Sequence, residues 1–110
     1  MINKVILVGN VGQDPEVRYT GDVNNGTKVA TIRLATTERY RDRNNNLQEH
    51  TEWHNVVAWE NSQMTDLDKI IKGAPVNVTG RLRVNRYTSA DGTEKQYYEI
   101  MANKVRFLRE

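Results

Sequence analysis

The fold is decided by residues 51 to 87, TEWHNVVAWENSQMTDLDKIIKGAPVNVTGRLRVNRY, because the spacing of apolar side chains changes within them. Thr51 to Trp59 has the composition and spacing of a strand. Apolar residues then recur at helical spacing, at Met64, Leu67, Ile70 and Ile71. Ser62 or Thr65 can cap the start of this segment, and Gly73 with Pro75 ends it. A period of two returns from Val76 to Tyr87. We therefore expect a strand, an amphipathic helix of about two to three turns, and another strand.

Further strands are predicted on both sides of this stretch, over Asn3 to Val11, Lys28 to Glu38 and Lys95 to Phe107. Val5 to Val8 is apolar on both faces. Both faces should therefore be covered, one by the core and the other by a second subunit. The second strand alternates between an apolar face and an outward face that carries Arg33.

The connections between these strands carry turn and loop signals. Gly21 to Gly26 reads as a polar loop with a tight turn at Asn25-Gly26, and Asp91-Gly92 marks another hairpin turn. Arg39 to His50 is charged and rich in asparagine, so we expect an exposed, mobile hairpin loop there.

The order of these elements predicts an all-β protein with one short helix. Five strands with the helix between strands 3 and 4 is the order of an OB-fold, a five-stranded Greek-key β-barrel. A chain of 110 residues is long enough for one such domain and too short for two, so we expect a single domain over residues 1 to 110.

Composition excludes several classes of protein. The chain has 16 basic and 14 acidic residues, so its net charge of +2 does not by itself indicate a nucleic-acid partner. It has no cysteine, which excludes disulfides and cysteine zinc sites. No apolar run approaches the roughly 20 residues of a membrane span, and the N-terminus does not resemble a signal peptide. We expect a protein that does not associate with membranes and lies in the cytoplasm with the nucleoid.

Nothing in the sequence predicts an enzyme, a metal site or a cofactor. His50 and His54 lie four residues apart on a predicted strand, roughly 13 Å from each other, which is too far to share one metal ion. Carboxylates are scattered singly, without a paired acid and base on an apolar background. We expect a non-enzymatic protein with no metal and no cofactor.

Arginines and aromatic rings are interleaved along the chain. The segments RYRDR (39–43) and RLRVNRY (81–87) each place three guanidinium groups beside one ring. Trp53 and Trp59 lie six residues apart, so on a strand they share one face at a separation of roughly 20 Å. Rings can stack on bases and guanidinium groups can pair with phosphates, which suits single-stranded nucleic acid. The alternative is ordinary core tryptophan and solvated charge, but the set taken together favours nucleic acid.

Several segments resemble one family. These are NKVILVGNVGQDPEVRY (3–19), TEWHNVVAW (51–59), Lys72-Gly73 and GRLR (80–83). They closely resemble the bacterial single-stranded DNA-binding protein family, and the resemblance extends over essentially the whole chain. It implies a homotetramer of OB-folds, a dimer of dimers, that coats single-stranded DNA during replication, recombination and repair.

The resemblance also implies roles for individual residues. The family's base-stacking positions fall on Tyr40, Trp53, Trp59 and Tyr87. Its phosphate-contacting positions are basic here at Lys4, Arg18, Arg43, Lys72, Arg83 and Arg86. To these we add the arginines of the basic clusters and the outward strand face, Arg33, Arg41 and Arg81. His54 matches an interface histidine of the family, and with the doubly apolar first strand it predicts an oligomer interface at Val5, Leu7 and His54.

One departure from the family and two alternatives stay open. Family members usually continue into a flexible linker and an acidic tip that recruits replication and repair proteins, whereas this chain stops at Arg109-Glu110. We expect no such tail within it, and such partners only if the natural protein has one. A dimeric, partner-binding relative such as a primosomal replication protein is the main alternative, although Trp53 and Trp59 favour the DNA-coating family. A nuclease is the other, and the sequence offers no acidic cluster for its metal.

Overall fold

The chain forms a β-barrel from which two long hairpins project. The structure is a computed structural model, and it describes residues 1–21 and 26–108. Within these ranges there are six strands, at Val5–Val11 (β1), Glu16–Thr20 (β2), Thr27–Arg41 (β3), Leu47–Trp59 (β4), Pro75–Thr88 (β5) and Glu94–Phe107 (β6). The turn predicted at Asn25 lies outside the described residues.

Five of the strands close into a ring in the order β1-β5-β6-β4-β3, because β1 also pairs with β3. The β4–β6 pairing is parallel, and the other pairings are antiparallel. Gly9 permits the β1–β3 closure, since a Cβ atom at this position would lie 2.1 Å from the carbonyl oxygen of Ala35. The predicted five-stranded barrel is confirmed. The short strand β2, which the sequence did not indicate, adds to the outer edge of β3.

The barrel core is built from the inward positions of the alternating strands. Ile32 and Leu34 of β3, Val56 of β4 and Val78 of β5 are fully buried, and Val105 of β6 joins them. Burial of each such side chain stabilises the fold by roughly 1.5 to 3 kcal/mol. Residues between these positions point outward, so the core pattern also fixes which side chains are available to a ligand.

The prediction of a helix between the third and fourth predicted strands, which are β4 and β5 of the structure, is wrong. Within the described residues, this segment contains only a 3-10 turn at Leu67–Lys69. Leu67 and Ile70 are buried as the amphipathic pattern required, but the N–H of Thr65 donates to the carbonyl of Val105 on β6 (2.8 Å). Asp66 accepts a hydrogen bond from the N–H of Asp68 (3.0 Å). Barrel contacts and short acidic side chains thus take the bonds a helix would use.

Lys28 of β3 connects the segment around Leu67 to the barrel through ion pairs. Its Nζ lies 2.5 Å from a carboxylate oxygen of Asp68, 3.7 Å from Asp66 and 3.6 Å from Glu60. The hydrogen bond to Asp68, with the charges of the neighbouring acids, holds the pKa of Lys28 well above its usual range despite partial desolvation. The lysine therefore remains charged and links β3 to the chain that follows β4.

The prediction of a mobile loop from Arg39 to His50 is also wrong, because β3 continues to Arg41 and β4 begins at Leu47. Cross-strand pairs support this extension, including an ion pair between Arg39 and Glu49 (3.1 Å). Asp42 closes the turn by accepting from the N–H groups of Asn44 and Asn46 (both 2.9 Å). Backbone hydrogen bonding, chiefly at Asn46, lowers the pKa of Asp42.

The first strand differs from expectation in which of its side chains face outward. Val5 and Leu7, assigned from the sequence to a subunit interface, pack against the barrel core. Ile6 and Val8 are the exposed residues, at 59% and 51%. The apolar outer face of β1 is therefore carried by Ile6 and Val8.

Candidate nucleic-acid interface

An open groove of about 780 Å³ crosses the outer surface where β4, β5 and β6 meet β2. Its position follows from the registers, because Met101 pairs with both Val57 and Arg81 and so links the outward faces of the three long strands. The groove is lined by Arg18, Val57, Trp59, Arg83, Asn85, Arg86, Tyr87, Tyr97, Glu99 and Met101. It thus brings together five of the predicted DNA-binding residues, namely Arg18, Trp59, Arg83, Arg86 and Tyr87.

Both tryptophans of β4 lie on its outward face, as their even spacing predicts. Trp53 is 49% exposed and Trp59 is 42% exposed, whereas Val56 and Ala58 between them are fully buried. Trp59 lines the groove, but Trp53 does not. Exposed rings of this size leave apolar surface in contact with water in the isolated chain, and they offer flat surfaces to a ligand.

Trp53 is positioned by Gly12, which follows β1, and by Arg33 of β3, which Asn55 of β4 holds in place. A Cβ atom on Gly12 would lie 2.2 Å from the Trp53 ring, so the absence of a side chain there makes room for the indole. The guanidinium of Arg33 lies 5.6 Å from the ring centroid, within cation–π range. Arg33 Nη1 also donates to Asn55 Oδ1 (2.8 Å). The predicted residues Arg33 and Trp53 therefore form one unit.

Arg83 is held by a carboxylate that the sequence did not single out. Its Nη2 lies 3.0 Å from Oε1 of Glu99, directly across the β5–β6 pairing, and Glu99 is buried. The pair places an acceptor inside an otherwise cationic groove. Glu99 therefore partly neutralises the charge of Arg83. The other basic side chains of the groove are Arg18 and Arg86.

Tyr97 is the aromatic groove residue that the sequence analysis missed. It lies on the same face as Tyr87, and the two ring centroids are 6.0 Å apart with an interplanar angle of 60°. The turn predicted at Asp91-Gly92 did not reveal it, because a two-residue turn there would pair residue 87 with residue 96. The structure instead pairs Tyr87 with Lys95 and Asn85 with Tyr97, which places Tyr97 on the face of Tyr87.

The remaining predicted DNA-binding residues do not line the groove. Tyr40 pairs with Gln48 and Ala35 pairs with Trp53, so by alternation Tyr40 and Trp53 lie on opposite faces of the β3–β4 hairpin. Arg41 and Arg43 are exposed near the tip of that hairpin. Exposed positions elsewhere on the barrel are taken by Lys4, Lys72 and Arg81.

The two histidines of β4 have separate partners. Nε2 of His54 lies 2.8 Å from Oγ1 of Thr36, and Nε2 of His50 lies 2.7 Å from a carboxylate oxygen of Glu52. The hydrogen bond and the charge of Glu52 raise the pKa of His50, and His50 in turn lowers the pKa of Glu52. Among residues 1–21 and 26–108, no three acidic, histidine or cysteine side chains are grouped to hold a metal ion.

No helix in the described part of the chain is long and apolar enough to cross a membrane.

Known proteins resemble this chain over nearly its whole length. Residues 2–108 match the model of the single-strand binding protein family. Two curated relatives are single-stranded DNA-binding proteins from Xanthomonas axonopodis pv. citri, 44% identical, and Neisseria meningitidis, 39% identical. Each alignment covers 97% of this chain but only 58% and 60% of the relative. The chain thus spans about three fifths of the length of these relatives.

Solved structures agree with this assignment. A Plasmodium falciparum SSB in complex with single-stranded DNA superposes with a TM-score of 0.78 at 37% identity, covering 98% of this chain and 96% of that one. A deletion mutant of the single-stranded DNA-binding protein from Thermus aquaticus gives 0.76 at 25% identity, covering 98% and 51%. The closed barrel, the full-length family match and these relatives show that the chain belongs to the single-strand binding protein family.

Proposed function

We propose that this protein binds single-stranded DNA without chemical turnover, and that it coats and protects single strands in replication, recombination and repair in the cytoplasm. The observation that carries the proposal is the groove, whose lining includes the exposed rings of Trp59 and Tyr87 together with Arg18 and Arg86. Rings that stack on any base and guanidinium groups that pair with any phosphate give binding that depends little on sequence. Family membership and the single-stranded DNA in the Plasmodium complex support the same function.

The proposed contacts extend beyond the groove. Trp53 and Tyr40 provide stacking surfaces on the β3–β4 hairpin, beside Arg33 and the arginines at its tip, Arg41 and Arg43. Lys4, Lys72 and Arg81 add positive charge on the barrel. A flexible single strand can follow such separated contacts, whereas a stiff duplex, whose bases are already stacked on one another, cannot present its base faces to the rings.

Strand selectivity tests this function. Binding of poly(dT) should quench the fluorescence of Trp53 and Trp59, and an equal mass of duplex DNA should not compete at moderate salt. Affinity should fall with the logarithm of salt concentration with a slope of about 0.7 for each phosphate contact. Equal affinity for single and double strands would refute the proposal.

We further propose that the protein assembles as a homotetramer, a dimer of dimers. The outer face of β1 exposes the apolar side chains of Ile6 and Val8. A second subunit would cover them. His54, with its hydrogen bond to Thr36, is the other proposed interface residue.

Light scattering tests the assembly. The mass should be four times that of the chain, and Ile6→Asp should lower it while circular dichroism keeps the β spectrum. A stable dimer of the unaltered protein would favour the primosomal alternative, and a monomer at micromolar concentration would contradict assembly altogether.

A further inference from the structure

Tyr97 occupies a position in the groove that no assigned role explains. It is 45% exposed, on a strand whose buried residues already complete the core. Across the β5–β6 pairing it faces Asn85, one step along the same strand face from Tyr87. The two tyrosine rings meet edge to face, with centroids 6.0 Å apart.

This pairing leaves ring surface available to a ligand. An edge-to-face contact uses the edge of one ring and the face of the other, so it does not consume both faces of either tyrosine. Tyr97 and Tyr87 remain about half exposed and both line the groove, together with Trp59. Rings from three strands therefore border one open space of about 780 Å³.

Basic side chains lie beyond Tyr97 towards the tip of the β5–β6 hairpin. Arg86 lines both this groove and a smaller adjoining one, in which Lys95 also takes part. Lys95 is paired with Tyr87 and shares the strand face of Tyr97. Glu94 also lines the smaller groove, so its charge is mixed. A strand leaving the groove past Tyr97 would meet Arg86 and Lys95, which can bind its phosphates.

The neighbouring tyrosine is also exposed but lies outside the groove. Tyr98 is 57% exposed, but it pairs with Val84 and lies on the opposite face of β6. It does not line the groove. Two adjacent, exposed residues of the same type therefore differ only in the face they occupy.

We propose that Tyr97 is a base-stacking residue in addition to Tyr40, Trp53, Trp59 and Tyr87, and that with Tyr87 it binds a nucleobase of the DNA at the β6 side of the groove. The inference rests on the proposed function, because it assigns one more contact to the same ligand.

Substitutions at Tyr97 and Tyr98 test this contact, with anisotropy of a labelled oligo(dT) as the readout. Tyr97→Ala should weaken binding about 5- to 150-fold, the usual worth of one stacked base, and Tyr98→Ala should leave it unchanged. The salt slope should be the same for both variants, because a neutral ring releases no counterion. Tyr97→Phe should bind like the unaltered protein.

Tyr97→Leu separates stacking from support of Tyr87. Leucine can pack against Tyr87 but offers no flat ring, so this variant should bind as weakly as Tyr97→Ala. Full affinity in Tyr97→Leu, or equal affinity in the Tyr97→Ala and Tyr98→Ala variants, would overturn the inference. If the unaltered protein still prefers single strands in those cases, the proposed function stands. If that preference is missing, the proposed function fails.

Discussion

At the scale of residues, the exposed rings are held by small and polar neighbours rather than by burial. Trp53 has room because Gly12 lacks a side chain, and Arg33 over its ring is itself fixed by Asn55. Such support leaves half of the indole surface available. A ring whose orientation is set before binding loses less conformational entropy when a base stacks on it.

Gly12→Ala tests this support without changing a stacking residue. The added Cβ would lie 2.2 Å from the indole, so the ring must move and the affinity for single-stranded DNA should fall. Trp53→Ala should cost about 1 to 3 kcal/mol of binding free energy. In a double-mutant cycle measured by anisotropy, Gly12→Ala should have no further effect once Trp53 is alanine. Additive losses would show that Gly12 acts elsewhere.

Arg83 and Arg86 should behave differently although both line the groove. Arg83→Ala leaves the buried carboxylate of Glu99 without its cation, so unfolding in urea should show a loss of about 1 to 3 kcal/mol, nearer the lower value because Arg83 is half exposed. Arg86→Ala should leave stability unchanged and reduce the salt slope of DNA binding by about 0.7. Glu99→Gln should restore stability to the Arg83→Ala variant. If Arg83→Ala is as stable as the unaltered protein, the ion pair has no structural role.

The sequence predicted the outward rings well because alternation alone decides their face. Trp53 and Trp59 occupy positions of β4 that alternate with the buried residues Val56 and Ala58, and the structure shows both rings exposed. Tyr97 and Glu99 needed more information, since their place in the groove depends on the register between β5 and β6. The contact between Gly12 and Trp53 joins residues 41 positions apart (53 − 12), and no local pattern indicates it.

At the scale of elements, the strands were predictable where they cross the barrel and less so where they leave it. Inside the barrel a buried face enforces alternation, as at Ile32 and Leu34. In the projecting β3–β4 hairpin both faces meet solvent, so the polar residues from Arg39 to His50 have the composition of a loop although they pair as strands. The segment around Leu67 failed as a helix for a related reason, because Lys28 and the carbonyl of Val105 supply partners from distant parts of the chain.

The β5–β6 turn carries a pH dependence that can be measured. The Ser89 hydroxyl and then the N–H of Thr93 bond to the Asp91 carboxylate and lower its pKa from 3.8 to about 2. A lowered pKa means that the turn is stabilised by the charged form. This contribution is complete above about pH 4 and should be lost as the pH falls towards 2.

Titration of the Asp91 carboxyl carbon by NMR should report the lowered pKa directly. The amide signals of Gly92 and Thr93 should move with the same midpoint. Asp91→Asn retains an acceptor oxygen but does not ionise, so these amide shifts should disappear in that variant. A midpoint near 3.8 for Asp91 would contradict the hydrogen bonding described for this turn.

At the scale of the whole molecule, the shape is that of a barrel with two projecting hairpins. The radius of gyration is 16.4 Å, whereas a compact domain of about 100 residues has roughly 13 Å. The β3–β4 and β5–β6 hairpins extend from the barrel, and most residues towards their tips are exposed. They carry most of the proposed stacking residues, so the parts of the molecule least used for its core are those proposed to meet DNA.

Photocross-linking tests the central claim, that single-stranded DNA lies in the groove on the rings of β4, β5 and β6. An oligonucleotide containing 5-iododeoxyuridine would be bound, irradiated and digested with protease, and the modified residues identified by mass spectrometry. We expect cross-links at Trp59 and Tyr87 within the groove and at Trp53 beside it, all lost at high salt. Cross-links confined to other surfaces, such as the outer face of β1 at Ile6 and Val8, with none at Trp59 or Tyr87, would contradict the account.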